Sequence, residues 1–157
     1  MKIHFWSVGK THDTDYKNAI EDFTKRISKY YSVEWKIISS AKQNANTQIA
    51  DIKKQESEKI LSFLLKDDFV VLLDERGKSF SSITLSNFIE EKAMNRVKNL
   101  IFIIGGAFGV DEMLFTRAQF VWKLSDLIFP HQIVRLILAE QVYRACSILS
   151  NEKYHHV

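Results

Sequence analysis

Three loops hold the residue types best suited to gripping a small ligand. The first is Leu72-Leu73-Asp74-Glu75-Arg76-Gly77-Lys78, the second Ile104-Gly105-Gly106-Ala107-Phe108-Gly109-Val110-Asp111, and the third Leu124-Ser125-Asp126-Leu127-Ile128-Phe129-Pro130-His131-Gln132. Each follows a strand-like run in the C-terminal half of the chain, and in open α/β sheets ligands bind beyond the carboxyl ends of the strands. Three of the five glycines fall in the second loop, where a backbone without Cβ can approach a ligand closely. The pattern Gly-Gly-x-x-Gly matches neither the dinucleotide-binding G-x-G-x-x-G nor the phosphate-binding G-x-x-x-x-G-K-[ST]. Asp126 lies where a ribose-binding acid would be sought, but the glycine spacing argues against that reading. The third loop is apolar where a surface connection is usually polar. Leu127, Ile128 and Phe129 therefore either plug the core or line a concavity for a flat, partly hydrophobic ligand such as adenine.

His131 opens the last helix-like segment, and Arg135 lies one turn on, within reach of the same face. A histidine at a helix start beside a cleft serves as a base, a phosphate contact or a packing residue. Glu140 and Arg144 have the same i, i+4 spacing and read first as an intrahelical ion pair. The tail, Asn151 to Val157, carries Tyr154, His155 and His156. A terminus is disordered by default, yet Tyr and His can also stack on bases. One cysteine, Cys146, and scattered histidines cannot build a structural zinc site, and no nucleophile-elbow serine motif is present. No metal is expected.

These residues need a scaffold to position them. The 157 residues suit a single domain spanning 1–157, and 46% hydrophobic against 26% charged residues is the balance of a chain with a core. A net charge of +3 permits a polyanionic partner without demanding one. The lone Cys146 reads as a small buried hydrophobe and fits a reducing compartment. No signal peptide or membrane-spanning run is legible: Ile133 to Leu149, the longest apolar stretch, is interrupted by Arg135, Glu140 and Arg144. The expected location is cytoplasmic, with no membrane partner.

Strand-like and helix-like segments alternate, as in an α/β domain with a largely parallel sheet. Strands are expected at Lys2–Val8, Val33–Ser39, Phe69–Leu73, Leu100–Ile104 and Phe120–Leu124. Helices are expected at Asp13–Tyr31, Thr47–Leu65, Ser81–Met94, from about Val110 or Asp111, and at His131–Leu149. A loose connection is expected over Ser39–Asn46. Ser81 or Ser82 can cap the third helix, and Pro130 precedes the last. That last helix is apolar nearly all round, so it must be covered on more than one side. A sheet covers one side, and a second subunit or the rest of the monomer the other.

Val8-Gly9-Lys10, Ile104-Gly105-Gly106-x-x-Gly109, Phe129-Pro130-His131-Gln132-x-x-Arg135, Glu140-Gln141-x-Tyr143-Arg144-Ala145 and Tyr154-His155 together resemble the small SPOUT-class methyltransferases that act on N3 of a pseudouridine in 23S ribosomal RNA. The resemblance runs in order along essentially the whole chain and is most specific in the last thirty or so residues. It implies an α/β fold with a C-terminal trefoil knot, an exception to the usual rule against knots. It implies S-adenosylmethionine as cofactor, touching Leu73, Gly105, Leu124, Ser125, Asp126, Leu127, Ile128 and Phe129, all within the three loops. It further implies a homodimer whose partner tail completes a composite active site, and the assembled ribosome as substrate. His156 stands where the family often has arginine, so a contact there carries less charge.

The imide nitrogen N3 is a poor nucleophile until its proton leaves, whereas a sulfonium methyl is already activated. The protein's task is positioning and help with the proton. His131, Arg135, Tyr154 and His155 are the expected catalytic residues: His131 near the proton, Arg135 and Arg144 near developing charge or phosphate, Tyr154 and His155 around the base. Lys10, Lys17, Lys25 and Arg26 are candidates for phosphate contact or a solvated helix face. The rivals are a non-catalytic ribosome-binding factor and a nucleotide-dependent oxidoreductase. Cofactor preference separates the three.

Overall fold

A computed structural model describes residues 1–154. Its elements are β1 (Lys2–Val8), α1 (Thr14–Ile27), β2 (Ser32–Ile38), α2 (Ile49–Phe63), β3 (Phe69–Lys78), α3 (Ser82–Met94), β4 (Asn99–Ile104), α4 (Glu112–Arg117), β5 (Phe120–Trp122) and α5 (His131–Leu149). The five strands form one sheet in the order β2-β1-β4-β3-β5, every pair parallel.

The continuous apolar runs of β1, β3 and β4 follow from coverage on both faces, as a parallel sheet requires. Along β4 the side chains alternate. Leu100, Phe102 and Ile104 enter a core with Leu85, Ile89, Leu138 and Val142 from α3 and α5. Ile101 and Ile103 enter a second core with Ile60 and Leu114 from α2 and α4. The expected α/β class with a parallel sheet flanked by helices therefore holds.

Helix α3 begins where the serine pair suggested. Ser81 Oγ accepts from the Thr84 backbone N–H at 3.1 Å, and Thr84 Oγ1 accepts from the Ser81 N–H at 2.7 Å. This reciprocal cap satisfies two donors that the first turn would otherwise leave open. Ser81→Ala is expected to cost about 1 kcal/mol, read as a lower urea midpoint at unchanged slope.

Helix α1, expected to reach Tyr31, ends at Ile27, α2 is shorter than Thr47–Leu65, and β5, expected to reach Leu124, ends at Trp122; two further segments differ in kind. The strand expected over Phe69–Leu73 continues to Lys78, but its pairing with β5 shifts register between Leu73 and Lys78. Asp74, Glu75 and Arg76 thus arch off the sheet before the chain rejoins it. A Cβ on Gly77 would clash with the backbone of Val121 and Lys123, so the strand can return to β5 only with glycine there. The connection expected to be loose is tethered: Ala41 N–H donates to Glu56 Oε1 at 3.0 Å, and the Lys59 ammonium reaches Ser39.

Strand order explains why the three loops meet. β4, β3 and β5 are neighbours and run the same way. The chain leaving their carboxyl ends must therefore converge at one edge of the molecule, between the glycine loop and the start of α5.

Candidate active site

A cleft of about 560 Å³ opens at that convergence, a volume suited to a ligand of nucleoside size. Leu73, Asp74, Glu75 and Arg76 line it from β3, and Ile104 to Val110 from the glycine loop. Trp122, Leu124, Ser125, Leu127, Ile128, Phe129, His131 and Val134 line it from β5, the third loop and α5. Of the expected cofactor contacts, Leu73, Gly105, Leu124, Ser125, Leu127, Ile128 and Phe129 are brought together here, as is His131. Asp126 is not among the lining residues: its side chain is 88% exposed and pairs with Lys123.

The glycine loop owes its path to two contacts. A Cβ on Gly105 would stand 2.6 Å from Val110 Cγ1, well inside contact distance, so a side chain there would displace the buried Val110 against which the turn packs. Gly109, at φ +84, donates its N–H to the Gly106 carbonyl at 3.0 Å. Helix α2 supports the turn from beneath. The Glu56 carboxylate packs against Gly106 where a side chain would otherwise project, and Ser57 Oγ accepts from the Asp111 N–H at 2.9 Å. Asp111 in turn caps α4 through the Met113 N–H at 3.0 Å. Neither Glu56 nor Ser57 stood out in the sequence, where both read as ordinary positions of an amphipathic helix.

The rim is charged. Arg76 donates to Asp74 Oδ1 from Nε at 2.8 Å and to Glu112 Oε1 from Nη1 at 2.7 Å, with its guanidinium 4.2 Å from the Phe115 ring centroid. Burial disfavours the charged form of Asp74, but the hydrogen bonds and charge of Arg76, helped by Lys53, outweigh it and hold the carboxyl below its ordinary range. At neutral pH Asp74 is therefore ionised and paired with Arg76 at the rim, beside the apolar third-loop wall. Lys53 and Trp122, both lining residues, carried no signal in the sequence: a lysine on a polar helix and a tryptophan ending a strand are each ordinary.

Burial, and after it the charge of Arg135, depresses the pKa of His131. At neutral pH the imidazole in the cleft wall is thus uncharged and able to accept a proton. Arg135 itself turns away from the cleft. It is 1% exposed, donating to Ser7 Oγ from Nε at 2.9 Å and to the Lys10 carbonyl from Nη1 at 2.8 Å. The shared face that the i, i+4 spacing permits is not used in common: His131 faces the cleft, while Arg135 reaches beneath the loop between β1 and α1.

A second polar cluster occupies the partly exposed face of α5. Glu140 Oε1 accepts from Arg144 Nε at 3.0 Å and from the Tyr154 hydroxyl at 3.1 Å. The Arg144 guanidinium lies 4.8 Å from the Tyr154 ring centroid. The expected intrahelical pair thus exists and also seats Tyr154. Neither Arg144 nor Tyr154 lines the cleft of its own chain. His155 and His156 lie outside the described residues. Lys17 pairs with Glu21 at 3.8 Å and Arg26 with Asp22 at 2.8 Å, the bonding of a solvated helix face. Among the described residues no group of His, Cys, Asp and Glu has metal-site geometry, and no helix is long and apolar enough to cross a membrane.

A family model described as predicted SPOUT methyltransferase matches residues 1–155. A protein of Flavobacterium johnsoniae called ribosomal RNA large subunit methyltransferase H is 42% identical, with 99% of each chain covered. One of the same name from Cytophaga hutchinsonii is 40% identical, over 99% of this chain and all of the relative. Among solved structures, a tRNA methyltransferase of Aquifex aeolicus superposes with a TM-score of 0.50 at 18% identity, over 92% of this chain and 70% of its own, a likeness of fold alone.

Proposed function

This chain belongs to the SPOUT methyltransferase family, and we propose that it transfers the methyl group of S-adenosylmethionine to N3 of a pseudouridine in 23S ribosomal RNA of the assembled ribosome. The observation that carries the reading is the convergence of Leu73, Gly105, Leu124, Ser125, Leu127, Ile128 and Phe129 on one cleft, with a turn at Gly105 packed tightly against Val110. The identity of about 40% along nearly the full length of relatives named for large-subunit RNA methylation supports the substrate class.

The cleft fits the cofactor chemically. Leu127, Ile128 and Phe129 offer apolar cover for adenine, and the backbone of the glycine loop offers polar atoms without side-chain obstruction. The Asp74–Arg76 pair at the rim offers both signs of charge to a ligand that carries both. When bound, the cofactor supplies a methyl group already activated by its sulfonium, so no metal is needed.

The chain's own residues then have defined tasks. The Gly105 turn and the third loop fix the position and direction of the methyl donor, which is where most of the rate advantage of such a transfer lies. Neutral His131 in the cleft wall accepts the imide proton at Nδ1 or Nε2 as N3 becomes nucleophilic. Tyr154, with His155 beside it in sequence, holds the base.

Tyr154 is seated on α5, away from its own cleft, so in this reading it serves the cleft of a second subunit. The enzyme is accordingly a cytoplasmic homodimer with a composite site. Ile133, Leu136 and Ile137 support this, since they share a face of α5 with Glu140 and Arg144 and remain only partly covered within the monomer. Tight apolar faces of this kind suit a second copy. The C-terminal trefoil knot implied by the family resemblance belongs to the same proposal.

The experiment is methyl transfer from labelled S-adenosylmethionine to ribosomes that lack the modification, followed by mass spectrometry of digested 23S RNA. A single N3-methylated pseudouridine is expected. Label in another base, or none with active cofactor binding, overturns the substrate assignment.

A further inference from the structure

Arg135 poses a problem that the cleft does not solve. Its side chain is among the largest fully buried ones in the molecule, at 1% exposure. Buried charges are ordinarily paired with opposite charge, because desolvating a lone ion is expensive. Yet no carboxylate lies within salt-bridge distance of it among the described residues. Burial alone lowers its pKa, with no acid acting to raise it. Its bonds are to neutral acceptors: Ser7 Oγ, the Lys10 carbonyl and, at 3.4 and 3.5 Å, His12 Nδ1 and Gln132 Oε1.

Those bonds use Nε and Nη1. The two N–H groups of Nη2 have no hydrogen-bond partner among the described residues. Nη2 points at Gly9, which has φ +128 and whose absent Cβ would stand 3.4 Å from it. That is ordinary contact distance, so the lack of a side chain at position 9 leaves this side of Nη2 uncovered by it. Lys10, exposed, follows immediately. The loop is held rigidly in place: Gln132 Oε1 accepts from the Asp13 N–H at 3.0 Å, and Gln132 Nε2 donates to the Thr11 carbonyl at 3.1 Å. The first turn of α5 thus binds this loop with one side chain and faces the cleft with another, His131.

We infer that Arg135 Nη2, the bare face of Gly9 and the adjoining Lys10 form a recess for one phosphodiester of the substrate RNA, next to the cofactor cleft. An anion there supplies the missing counter-charge and accepts both open N–H groups, the bonding that suits guanidinium to phosphate. Its place on the first turn of α5 lets one phosphate set the register of the RNA relative to His131. The inference rests on the RNA-methylating reading of the cleft, but its own test does not depend on catalysis.

The test uses the full-length protein and Arg135→Met, which keeps the length of the side chain and removes its charge. Inorganic phosphate, titrated at constant ionic strength against chloride, is expected to raise the thermal midpoint of the wild type, since a ligand of the folded state stabilises it. The variant should show no such response. Binding of ribosomes is expected to weaken roughly tenfold or more, with the salt dependence reduced by about one phosphate contact. Affinity for S-adenosylmethionine should stay within about twofold in both proteins. Should the variant not fold, the wild type still decides the matter: phosphate must shift the Arg135 Nε–Hε and Gly9 amide resonances saturably. Equal phosphate response in the two proteins, unmoved resonances, or an unchanged salt slope overturns the recess. A tenfold loss of cofactor affinity with unchanged ribosome binding overturns it too, by assigning the anion to the cofactor's carboxylate. Loss of cofactor binding by the wild type would instead count against the methyltransferase reading.

Discussion

Gly105→Trp is expected to abolish cofactor binding, a loss of 100-fold or more, while the protein remains folded. Even a Cβ at this position would lie 2.6 Å from Val110 Cγ1, so the buried Val110 would have to move before any larger side chain was placed. An indole would then occupy space that the cleft now leaves between the loops after β4 and β5. The strands beneath are not at risk to the same degree, because Gly105 follows β4 rather than lying within it. Calorimetric titration with S-adenosylmethionine and with S-adenosylhomocysteine checks the affinity, and circular dichroism checks the fold. A folded Gly105→Trp variant that binds either ligand as the wild type does would place the cofactor elsewhere.

Replacing His131 by alanine should lower kcat by about 10²- to 10⁴-fold, the range for removing a positioned proton acceptor, with cofactor affinity far less affected. The direction of its pH dependence follows from its surroundings. Burial and then Arg135 hold its pKa below the ordinary 6.5, so the neutral, accepting form prevails through neutral pH. The acid limb of kcat/KM should therefore fall below pH 6.5, and the rate should be flat above it until another group titrates. His131→Asn retains a hydrogen-bonding side chain but no accessible proton-accepting range. Recovery of most of the activity by asparagine, with the acid limb intact, would reduce His131 to a residue that merely orients the nucleotide.

Much of this was legible in the sequence because most elements are locally consistent. β1 and α5 begin and end where the apolar pattern and Pro130 indicate, and α3 starts at its serine cap. The glycine loop and the third loop stood out because a glycine cluster and an exposed apolar run are each unusual. What stayed hidden depends on contacts between distant segments. Glu56 supports the glycine loop from a helix about fifty residues upstream, and no local pattern marks that role. The arch at Asp74–Arg76 comes from a register shift against β5, a property of two strands together. Arg135 shares with His131 a spacing that permits a common face, yet burial and the β1–α1 loop draw its guanidinium the other way. The apolar character of α5 was visible, but how much of it α1 and α3 cover is decided only by packing.

The central claim is that the three loops form one cofactor site, and amide chemical-shift mapping of the wild-type protein with S-adenosylmethionine tests it most directly. Saturable changes are expected at Leu73, Gly105 and Leu124 to Phe129, with the N-terminal half of the sheet little affected. Saturable changes centred on other segments, or no binding at any attainable concentration, would contradict it.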